Sequence, residues 1–391
     1  MKVLFLTISQ EVHEGSSKAL LQLLDGLIPL GIKPLVVLPS KRSLYSYLKQ
    51  QKIPCVVIQS GYRMSVYPWA DTIKNKILFI PRLLGRLIVN NLATLKLLRI
   101  VNQFKPNLIH TNMSVISIGY YVARFFKIPH IWHIREYGDL DFQVHHYPTK
   151  KNKLNKYKSP GSYTLCITKD IQQYNNLQTW RNSHVIYDGV LSTTNCYYQQ
   201  EKAPYFLFAG RLERAKGILL LIDAYANYCE QHSSPLQLYI AGSGTETYTQ
   251  LIKDKIAQYT LENRVLLLGM QDDILSLYRR ATALIVPSIS EGFGFITAEA
   301  MFSGCLVIGN DTAGTKEQFD NGKEITGEEI GLRYNTQEQL VQHLIDVTNN
   351  SIGYYTPMIL RAQQVVSQLY STETHVKNVY NLYNRIQNNV N

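Results

Sequence analysis

Two glutamates, Glu291 and Glu299, stand eight positions apart in the segment PSISEGFGFITAEAM, Pro287 to Met301, around the turn Gly292-Phe293-Gly294. The segment follows the apolar run ALIV and leads into a helical pattern. Glycines there let the backbone N–H groups of Phe293 to Ile296 point outward at a helix N-terminus, where an anion is favoured. Glu299 then falls about one turn into the helix and can accept hydrogen bonds from a hydroxylated group such as a ribose, as Glu291 can from a second sugar. A strand-to-helix turn with an acid in its first turn is the competing account.

The segment FAGRLERAKG, Phe208 to Gly217, also joins a strand to a helix, and it puts Arg211 and Lys216 on the loop that feeds the helix N-terminus. Cations are unfavourable at that end unless an anion joins them. A diphosphate would satisfy both, bidentately for the arginine and as a point charge for the lysine; a solvated basic loop is the alternative. Gly242 in YIAGSG, Tyr239 to Gly244, and Gln271 in LGMQDD, Leu268 to Asp273, end two further strands. Four loops thus converge on the sheet edge where open α/β sheets bind ligands, although a lone Gly-x-Gly is equally a plain turn.

In the first half, Gly15 and the serines Ser16 and Ser17 precede a helix, with helix capping as good an account as an anion loop. His133 ends the strand HIWH and opens the polar run His-Ile-Arg-Glu-Tyr-Gly, which points it toward a crevice; His110 reads as structural. Asp139 and Asp141 form an acidic pair with no further ligand in sequence, so no metal is expected.

These residues need parallel sheets to hold them. Short β-rich runs alternate with helical patterns in both halves: Val3 to Ile8, Pro34 to Leu38, Cys55 to Ile58, Asn107 to His110, His130 to His133 and Tyr163 to Thr168, then Tyr205 to Ala209, Leu236 to Ala241, Val265 to Leu268, Ala283 to Val286 and Cys305 to Ile308. Helical stretches include Ser17 to Ile28 and Ser114 to Phe126. The pattern predicts an α/β layout written twice: a domain over 1–190, a linker over 191–204 in the polar stretch LSTTNCYYQQEKAP, a domain over 205–371, and a last helix from 372 packing on either. At 391 residues, 45% hydrophobic and 18% charged, the chain is long enough for two cores. Five scattered cysteines with no CxxC read as reduced thiols, and with no run of about 18 apolar residues the chain is expected to be cytoplasmic. MKVLFLTISQ reads as a first strand rather than a leader.

Charge divides the chain unequally. Residues 1–200 hold 25 Lys and Arg against 9 acids, and residues 201–391 hold 15 against 20. Within 71–105 the cations Lys74, Lys76, Arg82, Arg86, Lys96, Arg99 and Lys105 face one acid, Asp71, while Ile73, Ile77, Ile80, Leu84, Leu87, Leu95 and Leu98 recur at helical spacing. An amphipathic surface docked on anionic lipid and core-packed helices with solvated basic faces both fit, with Lys150, Lys151, Lys153, Lys156 and Lys158 adding a second cationic run. Peripheral attachment to the inner face of the cell membrane would follow from the first.

The early glycine loop, HIRE, IYDGV at Ile186 to Val190, AGRL with Lys216-Gly217, AGSG, the Glu-x7-Glu block, and Gly314-Thr315-Lys316-Glu317 after CLVIGN together carry a family likeness. The chain resembles the retaining, GT-B-fold glycosyltransferases of family 4 (glycosyl transferases group 1), which include many bacterial polysaccharide-assembling enzymes. The resemblance implies two Rossmann-like domains facing across a cleft and transfer of a sugar from a nucleotide-diphosphate sugar, by family habit UDP-linked, to a lipid-linked or oligosaccharide acceptor, with no metal or other cofactor. Arg211 and Lys216 would hold the donor diphosphate, Glu299 the ribose, and Glu291 with the backbone of Phe293, Gly294 and Phe295 the donor sugar; Gly242 and Gln271 would line the same site. His133 would face the transferred sugar, and Gly15 would admit the diphosphate or acceptor. The family commonly has two adjacent glycines where this chain has Glu14-Gly15. A sugar-nucleotide epimerase or phosphorylase on a similar fold is the alternative enzyme. A nucleic-acid-binding protein fits less well, since no helix-turn-helix or RNA-binding motif accompanies the basic half, so no nucleic-acid partner is expected.

Overall fold

The computed structural model describes residues 1–68, 72–139, 144–146, 148–289 and 291–389. The chain divides into two units, Met1–Gly189 with His375–Asn391, and Val190–Thr374. It therefore passes from one to the other twice.

The amino-terminal unit is built on a parallel sheet of seven strands, β1 Lys2–Leu6, β2 Lys33–Leu38, β3 Cys55–Val57, β5 Leu108–Thr111, β6 His130–Ile134, β8 Ser162–Cys166 and β9 Ser183–Val185, in the order β3-β2-β1-β5-β6-β8-β9. β4 Val66–Pro68 and β7 Val144–His146 form a separate antiparallel ribbon. The strands carry continuous apolar runs because helices cover both faces of such a sheet. Strand order reverses between β1 and β5, and ligands of open α/β sheets bind at such reversals, beyond the strands' carboxyl ends.

The closing helix Thr372–Asn388 contributes Val376, Val379, Leu382, Tyr383 and Ile386 to this unit's core, beside Val3, Phe5, Leu20 and Leu24. A methyl group on Gly26 would lie 2.3 Å from Val376 Cγ2, so glycine is what lets the two helices approach. The helical stretch expected from Ser114 begins only at Ile118. The Glu136 carboxylate instead accepts from the Val115 N–H at 3.1 Å and from Ser114 Oγ at 2.8 Å, which holds the entering backbone in a loop.

The carboxy-terminal unit repeats the plan with six parallel strands: β10 Ala203–Ala209, β11 Gln237–Ala241, β12 Val265–Gly269, β13 Ala281–Val286, β14 Leu306–Asn310 and β15 Leu332–Tyr334, ordered β12-β11-β10-β13-β14-β15. Here the reversal lies between β10 and β13. Phe206, Phe208, Leu238, Ile240, Ile285 and Ile308 from the strands pack with Leu221, Ile222 and Tyr225 of the helix Ile218–Gln231.

Residues 191–204, expected as a linker, belong to the carboxy-terminal unit. The Tyr197 N–H donates to Phe302 O at 3.1 Å, and the Tyr198 hydroxyl lies 2.7 Å from Thr356 Oγ1. The polar composition hid two tyrosines that tie the stretch down.

Candidate functional site

At the reversal of the second sheet, two loops leave neighbouring strands and meet. The loop after β10 makes a short 3-10 turn, Arg214–Lys216, and enters the helix Ile218–Gln231 through Gly217, whose φ is 68°. The loop after β13 enters the helix Phe295–Phe302 through Gly294, whose φ is 88°. L-residues other than glycine reach that left-handed region only at a cost, so both helix entries depend on glycine. The loops touch through backbone: the Ile289 N–H donates to Ala215 O at 2.9 Å, and a methyl group on Gly217 would stand 1.9 Å from Pro287 O.

The contact brings Lys216 and Glu291 together. Lys216 Nζ donates to Glu291 Oε2 at 2.6 Å, and Ser288 Oγ donates to the same oxygen at 3.1 Å. Both side chains of the ion pair are 15% exposed, so the cation sits in a partly desolvated place where an anion would be strongly felt. The Thr297 N–H donates to Gly294 O at 3.1 Å, so in the first turn of Phe295–Phe302 helix geometry leaves the amides of Phe295 and Ile296 without intrahelical acceptors. The turn that aims them is clamped from behind, since Gln318 Nε2 donates to Phe293 O at 2.7 Å and to Gly294 O at 3.0 Å. The Phe293 ring is buried against Tyr370 at 5.3 Å between centroids, so Phe293 offers its backbone, not its side chain, to a ligand. Gly314 N donates to Glu291 O at 2.9 Å, which fixes the loop from the side of β14.

The half-buried Glu299 accepts a hydrogen bond from the Tyr278 hydroxyl at 3.2 Å. Burial first, and then the charge of Glu299, push the Tyr278 hydroxyl up, so it stays a donor. The loops after β11 and β12 join the same edge: the Gly242 N–H donates to Gly269 O at 2.8 Å, and a methyl group on Gly242 would lie 1.8 Å from Gly210 O. Two predicted residues stand apart from the Lys216–Glu291 pair. Arg211 is 78% exposed and bonds Glu213 at 3.1 Å, a surface pair that holds it weakly. Gln271 is exposed and donates to Leu268 O at 2.7 Å within its own turn.

In the amino-terminal unit Gly15 opens the helix Gly15–Leu27, and a methyl group there would meet nothing within 4 Å. Ser16 and Ser17, considered as caps, lie inside that helix; Glu14 holds the cap position with no side-chain cap bond. Asp139 accepts from Tyr174 at 2.8 Å and pairs with Lys150 at 3.3 Å, while Leu140 and Asp141 lie outside the described residues.

His133 is fully enclosed. Its Nδ1 lies 3.3 Å from Arg135 Nη2, and because guanidinium only donates, Nδ1 accepts and the ring proton sits on Nε2. His110 Nε2, at 3.0 Å, then also donates to that Nδ1, which leaves His110 Nδ1 to accept from the Tyr383 hydroxyl at 2.5 Å. His133 Nε2 has no hydrogen-bond partner and lies 3.7 Å from Asp188 Oδ1, whose other oxygen binds Arg135. His110, His375, Arg135 and Asp188 thus surround the His133 ring, which was expected to face the transferred sugar. The sequence assigned no role to Asp188, Arg135, Ser288, Gln318 or Tyr278, although Arg135 lies in HIRE, Asp188 in IYDGV, and Ser288 three positions before Glu291.

Burial first, then Arg135 and the neighbouring histidines, hold His110 and His133 well below the usual histidine range. Burial alone takes His130 to about 3, and it lowers His375 against an opposing pull from Asp188. These rings are neutral in the folded chain and charge on unfolding, so their contribution is whole above pH 6.5 and drains away as pH falls toward the depressed values, at up to about 1.4 kcal/mol per group per pH unit. Urea midpoints are expected to drop steeply between pH 6.5 and 5; a flat profile over that interval would refute the neutral assignment.

The two parallel sheets, each with a reversal of strand order, define the class: the chain has the GT-B fold of glycosyltransferases. Residues 197–364, within the carboxy-terminal unit, match the model of the family glycosyl transferases group 1. An uncharacterized glycosyltransferase of Methanocaldococcus jannaschii is 26% identical over 213 residues, 54% of this chain and 52% of that protein. A second from the same organism is 26% identical over 254 residues, 62% of this chain and 66% of that protein, so the chain spans between half and two thirds of these relatives. Among solved structures, Anabaena HepE in complex with UDP superposes with a TM-score of 0.76 at 19% identity, covering 98% of this chain and 100% of that one. A glycosyltransferase from Rickettsia africae gives 0.77 at 16% identity, covering 98% of each chain. Among the described residues no helix is long and apolar enough to cross a membrane.

Proposed function

We propose that the chain is a retaining glycosyltransferase of the family 4 type that moves a sugar from a nucleotide-diphosphate sugar, UDP-linked, to a lipid-linked or oligosaccharide acceptor in cell-surface polysaccharide assembly. It works in the cytoplasm. The observation that carries the reading is the Lys216–Glu291 pair at 2.6 Å, set where strand order reverses in the second sheet. A partly desolvated lysine beside a glycine-entered helix suits a diphosphate, and Arg211, held only by a surface pair, is available to close on it. That HepE has been crystallised with UDP and with UDP-glucose supports the choice of base.

In this reading the diphosphate displaces Glu291 from Lys216, and the freed carboxylate accepts from hydroxyls of the donor sugar. Glu299 takes the ribose hydroxyls in place of Tyr278. As the bond from the anomeric carbon to phosphate breaks, charge grows on the leaving oxygen, where Lys216 and the helix amides are already placed and onto which Arg211 closes. These cations supply the stabilisation without a metal. The acceptor oxygen bonds to the anomeric carbon on the face that phosphate leaves, and its proton passes to the departing phosphate, so configuration is retained and no protein nucleophile is required. His133, enclosed as described, acts by holding the loop after β6, and Gly15 keeps the first helix open to the acceptor side.

Thermal shift against UDP, GDP, ADP and their sugars tests the donor assignment, since a ligand at 100 times its Kd stabilises by about 2.7 kcal/mol. UDP and one UDP-sugar are expected to raise the melting temperature, and Glu299→Ala to remove the shift, with a somewhat lower unliganded melting temperature because the buried Tyr278 hydroxyl loses its acceptor. A shift from no nucleotide, or turnover of the UDP-sugar to an epimer without acceptor, would replace the reading.

A further inference from the structure

The helix Ile73–Phe104 runs 32 residues, and its second half is fastened to the amino-terminal unit by Ala93, Leu97 and Val101, which join the core beside Leu4, Leu6 and Val37. Its apolar residues do not all follow them inward. Ile73 is 79% exposed, Ile77 69% and Leu95 59%, and Ile80, Leu84 and Ile88 are more than half exposed as well. At about 3.6 residues per turn, these six positions fall within roughly 80° of one another, on the side of the helix away from Ala93, Leu97 and Val101. The row from Ile73 to Leu95 is about 33 Å long at 1.5 Å per residue. Isolated exposed apolar residues are ordinary; a row of this length, interrupted by the exposed Asn91, is not.

We propose that this row is a docking face for an anionic membrane surface, with the helix lying in the plane of the interface. Charge selects the occupant. From Thr72 to Lys105 the sequence holds seven lysines and arginines and no acid. On helical geometry Lys76 flanks the row on one side and Lys74, Lys96 and Arg99 on the other, the disposition that lets apolar side chains enter the acyl boundary while cations meet lipid phosphates. A second copy of the chain is the less suitable occupant, because apposing two such rows brings like charges together with nothing to neutralise them. Asp71, the one acid noted near this segment, lies outside the described residues.

The full chain, without nucleotide, is to be sedimented with phosphatidylcholine vesicles and with vesicles containing phosphatidylglycerol. Binding to the anionic vesicles is expected to exceed binding to the neutral ones at least tenfold at low salt, and to fall in 0.5 M NaCl because exposed charges are screened. The variant Ile77→Ser/Ile80→Ser/Leu84→Ser is expected to lose at least tenfold in binding with its melting temperature unchanged. Lys74→Glu/Lys76→Glu is expected to lose the preference for phosphatidylglycerol. Equal binding to both vesicle types, undiminished binding by the serine variant, or a wild-type dimer that the serine variant turns into a monomer would each overturn the proposal. UDP thermal shift on the same variants, expected to equal wild type, separates failure here from failure of the donor assignment.

Discussion

Lys216→Ala is expected to lower kcat/KM by on the order of a thousandfold, the range seen when one group aimed at a developing charge is removed. The size follows from the setting. Lys216 Nζ is held at 2.6 Å from Glu291 with both partners 15% exposed, so the lysine is partly desolvated and already oriented before any ligand arrives. Glu291→Gln provides the internal comparison. Without the carboxylate, Lys216 no longer has to be taken from a bound anion, so UDP should bind that variant at least as tightly as wild type, whereas Lys216→Ala should bind it at least tenfold more weakly. Isothermal titration with UDP reads both. Wild-type UDP affinity in Lys216→Ala would remove the diphosphate assignment.

Gly217→Ala is expected to damage the site through the backbone. The new methyl group would fall 1.9 Å from Pro287 O at a residue with φ of 68°. Left-handed backbone costs a non-glycine residue about 1–2 kcal/mol, and forcing apart a packed contact about 1–3 more. At roughly 2–4 °C per kcal/mol for a unit of this size, the melting temperature should fall by about 4 to 20 °C. Since Pro287 opens the loop that carries Glu291, the UDP response should weaken as well. Gly15→Ala is the contrast: nothing lies within 4 Å of its added methyl group, so the melting temperature should hold. Equal melting of Gly217→Ala and wild type would show that the two loops do not bear on each other as described.

The strands that carry the sites were legible in the sequence because parallel strands buried on both faces appear as unbroken apolar runs, as at Tyr205 to Ala209 and Ala283 to Val286. β9 Ser183–Val185 and β15 Leu332–Tyr334 escaped because three half-polar residues at a sheet edge leave no run to see. At the site, glycines next to charged residues marked the loops of Lys216 and Glu291. The partners that hold them did not show. Gln318 lies 24 positions beyond Gly294, and only the packing of β14 and its following helix brings it to the turn. His133 looked like a residue at the open end of a strand, and nothing local foretold that Asp188 and the closing helix would shut it in. The apolar residues of Ile73–Phe104 showed helical spacing, but periodicity alone could not tell an inward stripe from an outward one.

The closing helix has a consequence for how the protein is made. Val376, Val379, Leu382, Tyr383 and Ile386 complete a core whose other buried members, from Val3 to Ile186, all precede the second unit in the chain. At about 5–20 residues per second, the 185 residues of Val190–Thr374 separate the two for roughly ten to forty seconds. Throughout that interval the nascent first sheet has a bare greasy flank, while the second unit emerges with every strand it needs. The later-made unit is therefore the one free to fold first on the ribosome, while the earlier-made one waits for its closing helix.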